Sequence, residues 1–239
     1  MRAMKRYLPI FILLCFIFTS TALADQNQFV SDEQFSNWFT YYYLSPQPQR
    51  LGAAIKYFCS SASYKDKTVL AMMSFFVAGL KNDDEMIEET YEKLNRGSTI
   101  REKTFFLDIL WLINTNDSRK IIEKAKSEWN VMEIQEKINQ QRQSIPYDTL
   151  TMPIISPQAL DMLWATFFST GDEKVVQRII SVIHLSKDGK GQEILIGGAA
   201  LWSLKSNAKQ HKKVMDICKQ EVGKETGLTK NLLQEIVAG

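Results

Sequence analysis

Histidine is scarce in this chain, with two in 239 residues, His184 and His211. No second His or Cys stands beside either at metal-ligand spacing, so a histidine-based zinc site is not expected. The chain also lacks a GxSxG nucleophile elbow, and Gly189-Lys190-Gly191 is too short to cradle a phosphate. No cofactor or metal is therefore expected. An excess of charge of one sign is missing too: 29 Lys+Arg stand against 27 Asp+Glu, which gives no electrostatic reason to expect nucleic acid. Long apolar runs are absent after residue 24, so no stable membrane span is expected there. Cysteines number three: Cys15, Cys59 and Cys218.

The first 24 residues read as a separate object. Arg2, Lys5 and Arg6 make a positive start, residues 8–18 an apolar run, and Ala22-Leu23-Ala24 supplies small residues before Asp25. That is the pattern of a cleavable secretory signal peptide. The competing reading is an uncleaved anchor, but a bilayer span needs about 20 apolar residues and this run is shorter. Lipidation at Cys15 would want a small residue where bulky Leu14 stands. The expectation is export to the periplasm or beyond the cell. Removing the segment's three basic residues turns 29 Lys+Arg into 26, against an unchanged 27 acids, for a net charge of −1. A disulfide between Cys59 and Cys218 is permitted by export. Both sit on apolar helical stripes, and an elongated stack would hold them further apart than the ~7 Å that a bridge spans.

What the remainder, residues 25–239, does contain is helical periodicity. Ser156-Pro157 opens a helix with a capping hydroxyl followed by proline at the first position. Leu160, Leu163, Trp164, Phe167 and Phe168 share one face, Gly171 ends the helix, and Asp172 caps the next. Val175, Val176, Ile179, Ile180 and Ile183 form the second stripe, with His184 packed on the same side. The result is an αα-hairpin. Similar patterns run along the chain. Ser31–Gln34 and Thr99–Glu102 read as capping boxes. Phe35, Trp38, Phe39 and Tyr42 make a stripe that ends against Pro46 and Pro48. Further helices are predicted over residues 51–60, 67–80 (broken by Gly79 and Asn82) and 83–94, then through the stripe Phe105–Ile113 and, after a corner at Asn116 and Asp117, through Ile121–Trp129. Residues 131–143 either extend the preceding helix or form their own. Later helices are predicted over 192–204, from an Asn207 cap to 222, and over 228–237.

Bulky doublets set a period. Phe75-Phe76, Leu110-Trp111, Phe167-Phe168 and Leu201-Trp202 each sit near the end of a first helix, followed by a polar corner. Phe76 to Trp111 is 35 residues and Phe168 to Trp202 is 34; Trp111 to Phe168 is 57, which leaves room for an insertion. A period near 34 belongs to paired-helix repeats, in which each hairpin buries its stripe against a neighbour. The pattern resembles a tetratricopeptide-like αα-repeat array, with the doublet at the end of the first helix and not at its start. From Leu160 through LIGGAALWSLKSNAKQH the chain also resembles exported bacterial helical proteins. The expected fold is all-α: stacked antiparallel helix hairpins, as in a tetratricopeptide-like superhelix.

Residues 144–156 are the exception. Pro146 and Pro153 punctuate a stretch that is apolar for a loop, and long apolar loops in compact domains are often functional. Tyr147, Asp148 and Met152 are the candidate contacts for a protein or peptide partner. Charge is also segregated: residues 83–92 carry six acids and no base, and residues 205–224 carry six lysines, an arrangement compatible with self-association or ordinary surface balance. His211 lies among Lys209, Lys212 and Lys213, which disfavour its protonation. The function expected is a non-catalytic interaction or envelope-associated factor. The alternatives are a helical hydrolase acting on cell-wall or host material, for which Asp108, Asp148 or Asp161 would have to converge in a pocket, and a secreted effector.

Overall fold

The computed structural model describes residues 28–62 and 64–239. The signal-peptide reading and Cys15 lie outside the described residues. Among those described, the chain is all-α: α1 Asp32–Tyr41, α2 Leu51–Ser60, α3 Asp66–Leu80, α4 Asp84–Asn95, α5 Ile100–Ile113, α6 Asn116–Glu128, α7 Met132–Arg142, α8 Pro157–Thr170, α9 Glu173–Ile180, α10 Leu185–Asp188, α11 Gln192–Gln210, α12 Lys212–Val222 and α13 Gly227–Ala238. Single 3-10 turns at Tyr42–Leu44 and Pro48–Arg50 carry the chain from α1 to α2. No described helix is long and apolar enough to cross a membrane.

Local chemistry explains most boundaries. Thr99 accepts from the Glu102 N–H while the Glu102 carboxylate accepts from the Thr99 N–H, a reciprocal cap at the start of α5. Ser31 caps α1 through the Gln34 N–H, but the Gln34 side chain reaches the Val30 N–H, one residue early for a full box. Gly171 ends α8 at φ +65°, and Asp172 accepts from the Lys174 N–H to start α9. Ser156 stands at the amino end of α8 with Pro157 first in the helix, yet its hydroxyl makes no capping bond.

One boundary that the sequence pattern leaves open is decided, and others depart from it. Residues 132–142 form their own helix, α7, because Trp129 and Val131 leave helical geometry. Gly79 does not break α3. It lies inside the helix at its crossing with α8, where a Cβ would stand 3.0 Å from Ser169 Oγ. Asn207 is not a cap: α11 runs on to Gln210, the Asn207 amide donates to the Ser203 carbonyl, and His211 is the joint before α12. His184 falls in the turn after α9, half-buried, rather than on the packed stripe.

The hairpins pack as paired units, but not in chain order. α3 packs against α5 and, most extensively, against α8; α8 in turn meets α11. The units therefore follow one another as α5/α6, α3/α4, α8/α9 and α11/α12. The segment 143–156 makes this exchange by carrying the chain from α7 back across α3. Two apolar cores result. One gathers α1 to α7 around Phe58, Phe75, Phe76, Phe105 and Phe106; the other gathers α8 to α13 around Leu163, Phe167, Ile179, Val214 and Leu233. Phe168 packs against both.

Candidate functional site

The segment 143–156 is a strap sewn to both halves. Near its start Asp148 pairs with Lys81, the residue that ends α3, Nζ to Oδ2 at 2.9 Å. Its other oxygen accepts from the Leu150 N–H, and its carbonyl accepts from the Met152 N–H, closing a tight turn. Further along, Arg178 of α9 donates to the Met152 carbonyl at 2.6 Å and Gln192 of α11 donates to the Ile155 carbonyl at 2.9 Å. Leu150 and Ile154, partly buried, pack against the second core. Apolar side chains in this loop thus serve as anchors.

A cleft of about 160 Å³ opens where the strap crosses the α3–α8 seam, walled by Ser74, Val77, Lys81, Tyr147, Asp148 and Thr166 among others. Lys81, reinforced by the Leu150 N–H, holds the Asp148 carboxyl below the ordinary range against the opposing pull of burial. The pair is near the surface, so it orients the strap more than it stabilises the fold. Tyr147 turns inward. Its hydroxyl is buried and has no hydrogen-bond partner among the described residues. Burial, with the nearby Asp108 charge, pushes its pKa up. Tyr147 and Asp148 therefore share one cleft, whereas Met152 lies half-buried elsewhere and contributes its backbone carbonyl to Arg178.

The carboxylates set apart for a hydrolase do not converge. Asp108 pairs with Lys137 at 2.7 Å and accepts from the Gln141 amide, in a separate groove beside Trp111. Asp148 faces Lys81. Asp161 stands alone on α8, its pKa raised by partial burial. The second carboxylate in the Tyr147–Asp148 cleft, Asp172, is engaged as the α9 cap. Among the described residues no three His, Cys, Asp or Glu side chains gather as a metal site. Cys59 and Cys218 are free thiols, one buried in each core, and burial pushes both up to about 12.

No protein family, curated protein or solved structure matches this chain. Its own geometry singles out two residues whose surroundings periodicity did not show. His211 is 1% exposed, enclosed by Tyr41, Tyr43, Phe167 and Phe168 with ring centroids 5.1–6.2 Å away. Tyr43 Oη and His211 Nδ1 share a 3.1 Å hydrogen bond, and Nε2 is buried without a partner. Burial, not the flanking lysines, lowers its pKa. The second is Trp202. Its counterparts Phe76, Trp111 and Phe168 are buried or part-buried, but Trp202 is 74% exposed. The signal for His211 was the density of aromatics in Tyr41–Tyr43 and Phe167-Phe168; for Trp202 it was the apolar residues all round α11.

Proposed function

We propose that the protein is an exported, envelope-associated interaction module that receives a peptide or protein segment in the cleft beneath the strap. The observation that carries this reading is the cleft walled by Tyr147 and the Lys81–Asp148 pair, behind which the Tyr147 hydroxyl is buried without a partner. A buried hydroxyl without a partner is costly, and an extended segment that parts the strap from the α3–α8 seam would supply one. The hairpin array, of the kind tetratricopeptide-like proteins use to hold peptides, supports the same reading.

Two experiments test it. Fractionation with amino-terminal sequencing should find the chain outside the cytoplasm, beginning at Asp25; a cytoplasmic chain beginning at Met1 overturns the export part. Affinity capture from the envelope fraction should return a partner lost on Tyr147→Phe and on deletion of residues 145–155. Partners unchanged by both variants overturn the cleft, and glycan or peptide turnover abolished by Asp148→Asn would favour the hydrolase instead.

A further inference from the structure

A second hollow lies beside α2 and shares no lining residue with the strap cleft. Its volume is about 400 Å³, within the size range of small-molecule sites. It exists because α2 is small where it turns away from the core. Gly52 and Ala53 floor the hollow, while Leu51, Ala54, Ile55 and Phe58 go into the first core. Gly52 also seats the Lys93 stem of α4, since a Cβ there would stand 3.2 Å from Lys93 Cδ. Part of the wall is aromatic. Phe29 and Tyr57 line it with ring centroids 5.7 Å apart, and Phe35 stacks on Tyr57 at 5.1 Å.

The lining also carries charge. Lys56 of α2 and Lys93 of α4 both border the hollow. Lys93 is committed: its Nζ pairs with Glu89 at 2.6 Å and donates to the Gln49 carbonyl at 2.9 Å. Lys56 differs. Among the described residues it has no carboxylate partner, and the one hydrogen bond it makes there is a long 3.4 Å contact to the Arg96 carbonyl. An ammonium has three donors, so at least two are left over. The nearby acids are engaged elsewhere. Glu102, 8% exposed in the wall, accepts from the Thr99 N–H at the amino end of α5, where the helix dipole favours its charge. Asp32 accepts from the Tyr57 hydroxyl at 2.7 Å. Arg101, next to Glu102 in the chain, donates to the Cys59 carbonyl and adds positive charge beside the hollow.

We propose that this hollow binds a small organic acid. A flat, apolar body rests against Phe29 and Tyr57 over the Gly52–Ala53 floor, and one carboxylate or phosphate group meets the Lys56 ammonium. Both halves of the ligand follow from the lining. An anion supplies the charged acceptor that Lys56 lacks, and a charge-assisted hydrogen bond is about twice as strong as a neutral one. A ligand cation would instead face Lys56 and Lys93, with Glu102 already engaged. One acidic group suffices, because Lys93 already has Glu89. The site does not depend on the strap cleft or on what that cleft receives.

The test is titration of the full chain with benzoate and with phenyl phosphate, read by calorimetry and by the backbone amide signals of Gly52, Ala53 and Ser60. Inorganic phosphate presents the charge without the ring, and benzylamine the ring with the opposite charge. At least one aromatic acid should saturate with a Kd of about 1 mM or tighter and move those three signals. The tighter of the two identifies the head group. Lys56→Gln should weaken binding about tenfold, and Ala53→Leu, which fills the floor, should abolish it. Neither residue belongs to the core, so helical signal and melting should persist in both variants. No saturation by either acid overturns the proposal. So does equal affinity for benzylamine or inorganic phosphate, affinity unchanged in both variants, or shifts that gather on Tyr147 and Asp148 instead.

Discussion

At the scale of single residues, burial decides behaviour more than sequence neighbours do. The aromatic cage around His211 disfavours its charged form, so its folded pKa lies below the unfolded value of about 6.5. The unfolded chain then binds the proton more readily than the folded one. Stability is full above about pH 6.5 and declines as pH falls below it toward the lowered folded value. Thermal melts at pH 7.5 and 5 should show this loss, and His211→Gln should flatten the difference. Tyr147 supplies a second prediction. Its hydroxyl is buried without a partner, so Tyr147→Phe should leave the unliganded protein unchanged or up to about 1 kcal/mol more stable by urea denaturation. Loss of stability comparable to a core truncation would mean the hydroxyl has a structural partner. The two thiols are a third case. Cys59 and Cys218 are buried, free and pushed up to about 12, so a thiol-specific disulfide reagent should label them only after unfolding.

At the scale of elements, adjacent glycines in α11 should respond to alanine with opposite sign. Gly197→Ala forces a methyl into the α10 backbone, 2.1 Å from the Ser186 N, and should cost about 1–3 kcal/mol as overpacking does. Gly198→Ala adds helix propensity in open space and should stabilise the fold by about 0.5–1 kcal/mol. Thermal melts separate the two; equal signs would contradict the packing of α10. Gly171 combines both kinds of constraint. It takes a positive φ, and a Cβ would stand 2.9 Å from Tyr43 Cδ2, so the end of α8 and the seat of Tyr43 beside His211 are one piece of local geometry.

At the scale of the whole molecule, two apolar cores meet along α3 and α8, and Phe168 contacts both. Phe39 packs on Phe168 edge-to-face at 5.6 Å, joining the first helix to the same seam. Phe168→Ala should cost about 3 kcal/mol and, more tellingly, separate the unfolding of the halves. Hydrogen exchange on α5 and on α12 should report one common opening energy in the parent chain and two in the variant. Two energies already present in the parent would mean that the seam does not couple the cores. The strap reinforces the seam from outside through Lys81, Arg178 and Gln192. That placement accounts for its apolar composition, because Leu150 and Ile154 pack against the second core.

The sequence by itself determined the helices and their inward faces. Stripes at three and four residues, the Thr99–Glu102 box, the Gly171 stop and the Asp172 cap are local devices, written in side chains within one turn of each other. It also marked residues 144–156 as the departure from the pattern, because proline and turn chemistry act locally. Only the tertiary structure decided which hairpin lies against which. A period near 34 residues is silent about order, and placing α8 on α3 depends on contacts across ninety or so residues that no local rule encodes. The same reason separates the candidate residues. Tyr147 and Asp148 are brought to the α3–α8 seam by that reversal, and Met152 is not. His211 is buried because the tyrosines of the first turn fold onto the far end of the chain, and Trp202 is exposed because its unit is the last in the stack.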